Sequence, residues 1–272
     1  MTMGWTAARL GAALVFMATS ACFSPVHVRS ARILAVGEHE IGIAMAGAQL
    51  KADTVKWYNG TSTDSIKEPS AQGKISGWPE LAYHYGIIEN LEAGLRLIGG
   101  SGLAEVDANY RLLKTPLGSM HLHLSTGVIF GTALADETGG KRALVPLMAT
   151  IDFNENWGLT LAGHLGYRWV TPPPVDPNLA IANIDDLRWL VGSDGLTYGG
   201  GLSADWRNDD WIARLFFESS FWHGEIGAQN KVSTYDVTVM QGGFAVGFKF
   251  GKDAAALRKS HDDLDSLTAP PK

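Results

Sequence analysis

The stretch from Trp157 to Trp169, WGLTLAGHLGYRW, limits the chain more than any other. One register of strict alternation reads Trp157, Leu159, Leu161, Gly163, Leu165, Tyr167, Trp169, and the other reads Gly158, Thr160, Ala162, His164, Gly166, Arg168. A strand turns successive side chains to opposite faces, so one face is apolar and the other small or polar. A soluble sandwich shows the same alternation. The aromatics tip the reading, because Trp157 sits at one end of the apolar face and Tyr167 with Trp169 at the other. Twelve rises of roughly 3.3 Å, tilted by about 40°, cover on the order of 30 Å, close to a bilayer's apolar band between its aromatic girdles. The stretch reads as a lipid-facing strand.

The chain's first residues say where such a strand would be delivered. Residues 1–21 carry Arg9, then the apolar run Leu10 to Ala18, then Thr19-Ser20-Ala21 before Cys22. A basic start, a short apolar run and small residues make a secretory signal, and the run is too short to cross a membrane as a helix. A cysteine directly after the small residues resembles a bacterial lipoprotein signal, which implies cleavage before Cys22 and a lipid on its sulfur. Cys22 is the single cysteine of the chain, so no intrachain disulfide competes for it. Residues 22–32 then read as a linker leading to a barrel over 33–251.

The rest of that region repeats the opening pattern. Candidate strands cover about 38–49, 79–87, 91–97, 104–112, 120–130, 145–153, 157–169, 197–207, 211–221 and a last one ending at Phe250, with Gln241-Gly242-Gly243 read as a bulge. Polar loops are expected over Leu50 to Ser76 and about 223–234, and short turns at Ile88-Glu89-Asn90, Lys114 to Gly118, Asn154-Glu155-Asn156 and Asn208-Asp209-Asp210. The longest connection, Thr171 to Asp194, holds Pro172-Pro173-Pro174 and a short helix around Leu179 to Leu190. In these registers the apolar faces contain no Asp, Glu, Lys or Arg. Trp157, Tyr167, Trp169, Trp206, Trp211 and Phe221 form an aromatic girdle at the strand ends. An even strand count, connections alternating short with long, and both termini on the short-turn side predict an antiparallel up-and-down transmembrane β-barrel of about ten strands.

The segment Gln241-Gly242-Gly243-Phe244-Ala245-Val246-Gly247-Phe248 resembles the polar-x-Gly-x-x-apolar-x-aromatic signal of bacterial outer-membrane β-barrel proteins. The phrase from Tyr85 to Leu95 resembles their recurrent strand-turn-strand. This likeness implies the outer membrane of a Gram-negative bacterium, with membrane lipids and the barrel-insertion machinery as partners, and it implies no activity. Such proteins usually end on the closing aromatic, whereas residues 252–272 follow here and are expected in the periplasm.

Function has to come from the inward face. Glu80, His84, Glu92, Arg96, Glu105, Asp107, Arg111, His121, His123, His164, Arg168, Asp205, Arg214 and Glu218 are expected there as a lumen network, with Glu40, Arg142, Arg207 and Lys249 on the same side. Ten strands leave little more space than side chains fill, and mixed charges held away from water need one another. A charge-paired structural barrel, or a narrow passive pore for small solutes, is therefore the expectation. His121 and His123 on one strand raise a metal site, but inward histidines serve equally as lumen polar groups, so no metal and no cofactor are expected. A hydrolase could be drawn from Ser125, His123 and Glu105, yet no Gly-x-Ser-x-Gly motif supports an enzyme. The 171–194 loop could instead make a surface-binding protein. With a net charge of -6 and no basic patch, nucleic acid is not an expected partner.

Overall fold

The computed structural model describes residues 29–52, 55–59, 65–68, 71–98, 103–133, 140–169, 195–228 and 231–251. The signal segment, Cys22, the turn at 99–102, the 171–194 loop with its expected helix, and the tail beyond 251 lie outside the described residues. Twelve strands follow one another: β1 (His39–Ala52), β2 (Val55–Asn59), β3 (Ser65–Glu68), β4 (Ala71–Ile88), β5 (Leu91–Ile98), β6 (Leu103–Leu117), β7 (Met120–Ala133), β8 (Lys141–Asp152), β9 (Trp157–Trp169), β10 (Gly195–Arg207), β11 (Trp211–Ala228) and β12 (Lys231–Phe250). β1 and β4 to β12 pair antiparallel, each with the next, and β12 returns to pair with β1. Ten strands therefore close into a barrel, which leaves the belt without an open sheet edge.

Alternation decides which side of each strand faces out. In β9 the residues read as lipid-facing, Gly163 apart, are exposed and Thr160, Ala162, His164 and Arg168 are buried. The outer surface is a belt of Ile, Leu, Val and Phe edged by rings. Near one end Trp157 stands opposite Trp206 and Trp211 opposite Phe248, with the latter ring centroids 5.0 Å apart. Near the other end Tyr167 lies against Trp169 at 5.0 Å and Tyr198 stacks on Phe221 at 5.6 Å.

The short turns gather at the end where β1 begins and β12 stops. Two of them share one device: the Asn154 side chain accepts hydrogen bonds from the amides of Asn156 and Trp157, and Asn208 does the same for Asp210 and Trp211. The turn after β6 uses Gly118 at φ 66°, a conformation that favours glycine. The strand itself runs to Leu117, further than the expected turn at Lys114, because a bulge between Arg111 and Leu113 absorbs the change of register.

Two expectations fail for a common reason, which is that polar sequence does not stop a strand that has a partner, and a third fails on register. The described residues of Leu50 to Ser76 are strand, since β2 and β3 continue the hairpin of β1 and β4 in the same register. Likewise the described residues of 223–234 are strand: β11 and β12 pair from Trp211↔Phe248 to Ala228↔Lys231. Together these hairpins rise beyond the belt, with β2 pairing to the first residues of β12. Gln241-Gly242-Gly243 is not a bulge either. Its register is unbroken on both sides, and Gly243 instead lets backbones approach: a Cβ there would lie 2.2 Å from the Met45 carbonyl oxygen.

The seam between β1 and β12 is lined with small residues, Gly42 opposite Gly247, Ala44 opposite Ala245 and Ala46 opposite Gly243. The barrel's core is its lumen, and its buried residues are mostly polar or charged.

Candidate functional site

The lumen wall presents the carboxylates of Glu40, Glu80, Glu92, Glu105, Asp107, Asp152, Asp205 and Glu218, and the guanidinium groups of Arg96, Arg142, Arg168, Arg207 and Arg214. Carboxylates outnumber guanidinium groups. One part of the wall is satisfied by itself. Glu105 is almost fully buried and is held by both Arg96 and Arg142; the Arg96 Nε hydrogen bond is 2.8 Å, and Glu80 lies 3.7 Å on the other side of Arg96. Asp205 is gripped by Arg214, with Arg207 at 3.9 Å. Arg168 lies over the Trp222 ring at 4.3 Å. Cross-strand pairing produces these contacts directly, since Arg96 stands opposite Glu105 and Arg214 opposite Asp205.

The other part is satisfied by the chain's own N-terminal side. Residues 29–38 run inside the barrel at its short-turn end. Arg29 pairs with Glu92 at 2.8 Å and Asp107 at 3.4 Å, and Arg32 pairs with Asp152. The Ala31 amide donates to Thr150 Oγ1 at 2.7 Å, the Leu34 amide donates to Glu92 at 2.9 Å, and Arg207 donates to Ser30 Oγ at 3.1 Å. Ala31 is completely buried.

This strap then leaves along β4, where the Gly37 amide donates to the Gly86 carbonyl and the Gly86 amide to the Glu38 carbonyl, at 2.8 and 2.9 Å. A Cβ on Gly86 would come within 1.9 Å of the Ala35 carbonyl oxygen, so the crossing needs glycine. Two cavities of about 30 and 50 Å³ border the strap, enough for a few water molecules.

The buried histidines do not converge. His84 faces Asp107 at 3.3 Å, His123 faces Asp152 at 2.9 Å, and His164 faces Glu218 at 3.5 Å. His121 is exposed at the short-turn rim, opposite Pro116, so it lies outside the network in which the sequence reading placed it. Arg111 also belongs to the rim, bonded to Asn90 Oδ1 and the Glu89 carbonyl.

The Ser125, His123 and Glu105 set is not assembled, because Glu105 is occupied by arginines and His123 by Asp152. A different set does meet: Ser220 Oγ is 3.4 Å from His164 Nε2 and 3.2 Å from Glu218 Oε1, and Gln241 donates to the other Glu218 oxygen at 3.1 Å. Ser220 donates to the carboxylate, and which of Ser220 and His164 donates in the other contact depends on the imidazole tautomer.

The strap is what the sequence reading missed, having assigned Arg29 and Arg32 to a linker. The sequence offered no signal for it, because the inward charges read there as near-equal in sign; the excess of carboxylates appears once Arg111 is found at the rim and Asp152 in the wall.

No protein-family model matches the chain. No curated protein matches it in sequence. Solved structures of barrel form do. The outer membrane protease OmpT of Escherichia coli is 8% identical over 81% of this chain and 100% of its own, with a TM-score of 0.43. The outer membrane protein OprG of Pseudomonas aeruginosa is 12% identical over 82% and 99%, with a TM-score of 0.31. Ail, the attachment invasion locus protein of Yersinia pestis, is 13% identical over 79% and 99%, with a TM-score of 0.23. At such values the closed barrel rests on the strand pairings themselves.

Proposed function

We propose that the protein is an outer-membrane β-barrel lipoprotein, anchored through Cys22, with a charge-paired lumen that makes it a structural barrel in preference to an open pore. The observation that carries this reading is the contrast between the two faces of one closed sheet. The outer face exposes a continuous apolar belt edged by aromatic rings, which water would not tolerate as a free surface. The inner face holds most of its charges in ion pairs among the described residues, and the two cavities bordering the strap are water-sized. The sequence reading also allowed a narrow passive pore, and the filled lumen favours the closed form. A wide, ion-selective channel would instead need a continuous aqueous path lined by one sign of charge.

The experiment has two parts. Expressed with its own signal, the protein is expected in the outer-membrane fraction, with heat-modifiable migration on gels. In planar bilayers the purified barrel is expected to be silent or to give small, weakly selective steps. Recovery as a soluble periplasmic monomer would refute the membrane reading, and large stable channels would refute the closed lumen.

A further inference from the structure

We infer that the strap Arg29–Leu34 is a displaceable plug seated in a guanidinium-binding site of the barrel wall, and that the lumen it vacates conducts cations. The inference rests on the barrel reading above. It adds a ligand class to the lumen and a state the closed structure does not show.

Sorting the ion pairs by the partner that supplies the positive charge shows why. Glu105 and Asp205 draw on arginines of neighbouring strands, so their pairs survive without the strap. Among the described residues the arginine partner of Glu92 and Asp107 is Arg29, and that of Asp152 is Arg32; His84 and His123 are the other basic groups facing these aspartates. All three carboxylates are largely buried, and they lie on β5, β6 and β8 toward the short-turn end. Leaving them without counter-charge in a low-dielectric lumen is costly, so the wall is built to hold two guanidinium groups that it does not itself provide.

The seating is more than charge. Arg29 takes carboxylates of two strands, Thr150 accepts the Ala31 amide, and Glu92 takes the Leu34 amide along with Arg29. The site thus reads backbone donors and arginines at i and i+3 together, as a receptor reads an extended peptide. Yet the strap adds no strand to the sheet; its hold on the wall is by side-chain pairs and single hydrogen bonds, which ions or a competing peptide can replace. Once it leaves, the eight wall carboxylates named above face only the five wall arginines named with them. The vacated path is then negative, which favours cations.

The test compares the full-length chain with a variant lacking residues 29–34 and with the double substitution Arg29→Ala, Arg32→Ala. Insertion of each is scored by heat-modifiable migration before planar-bilayer recording in potassium chloride. The deletion is expected to raise conductance by roughly tenfold or more with potassium preferred over chloride, and the double substitution to give brief openings of the same selectivity. A free hexapeptide of sequence RSARIL should close the deletion variant at about millimolar concentration, the range a short tether supplies, whereas ASAAIL should not.

If both variants insert and stay as silent as the wild type, or open with chloride preference, the plug is refuted. Equal block by the two peptides would refute the guanidinium site. Should the deletion alone fail to insert, the double substitution decides in the same way. Failure of the wild type itself to insert would instead strike the barrel reading, and the inference with it.

Discussion

Replacing Leu161 by arginine measures whether the apolar face meets lipid. Leu161 lies in β9, two residues from Gly163, the midpoint of the span from Trp157 to Trp169. At about 3.3 Å per residue and a tilt of about 40°, that is roughly 5 Å from the belt's mid-plane. Leu196 in β10 stands opposite Tyr167 at the belt edge. The two leucines are equally available to the surroundings, at 61% and 58% exposure, so a soluble barrel would give them similar responses to arginine.

A bilayer would not treat them alike, because its cost for a cation falls from about 2–4 kcal/mol at the centre to about 0–1 kcal/mol near the interface. Leu161→Arg is therefore expected to cost about 2–4 kcal/mol and Leu196→Arg about 0–1 kcal/mol. The assay is equilibrium unfolding in denaturant with lipid vesicles present, read by tryptophan fluorescence. Equal costs, or a larger cost at Leu196, would refute the depth assignment.

Glu105 joins two arginines, so Glu105→Ala should cost about 3–5 kcal/mol in the same assay, as expected for charges left buried without a partner. Glu105→Gln keeps the shape and one acceptor and is expected to cost less. Cys22→Ser should abolish incorporation of labelled fatty acid while heat-modifiable migration persists, because assembly rests on the strands; a wild type that takes no label would refute the lipoprotein reading.

The belt was legible because period-two alternation is enforced by two solvents at once. A one-residue slip would put Arg168 into lipid and Trp169 into the lumen, so the register at β9 leaves no choice. The cross-strand pairs were legible only as faces. Arg96 and Glu105 could be placed inward, but their being opposite depends on the length of the turn between β5 and β6.

Where the belt ends, alternation stops carrying information. Lys51, Lys56 and Thr234 read as loop residues, yet the hairpins continue there because each backbone already has a partner to extend along. The strap was the least legible part. Ten residues with neither period two nor a helical repeat look like a linker, and only the unbalanced wall opposite them shows that they are held. His121 failed for a simpler reason: its face was right, but the strand ends too soon to cover it.

The seam of small residues between β1 and β12 sets the order of assembly. It joins the first barrel strand to the last, so forming it closes a loop of about 200 residues, at a chain-entropy cost of roughly 5 kcal/mol. The fourteen residues of β1 repay this as they pair, at about 1 kcal/mol per hydrogen bond, so roughly five registered pairs commit the ring. On the inward face those pairs are small, glycine meeting glycine and alanine meeting alanine, while the large partners such as Ile43 and Val246 meet on the outer face. The strap is continuous with β1 through Gly37 and Glu38, so closing the seam leaves it at the short-turn mouth of the ring. A completed ring admits or releases its two arginines only end-on through that mouth, since the His39 and Phe250 rings that stack at 4.8 Å on the seam's last pair stand on the outer face. Closure thus fixes the route by which the lumen is filled or emptied, and leaves the filling itself to the strap.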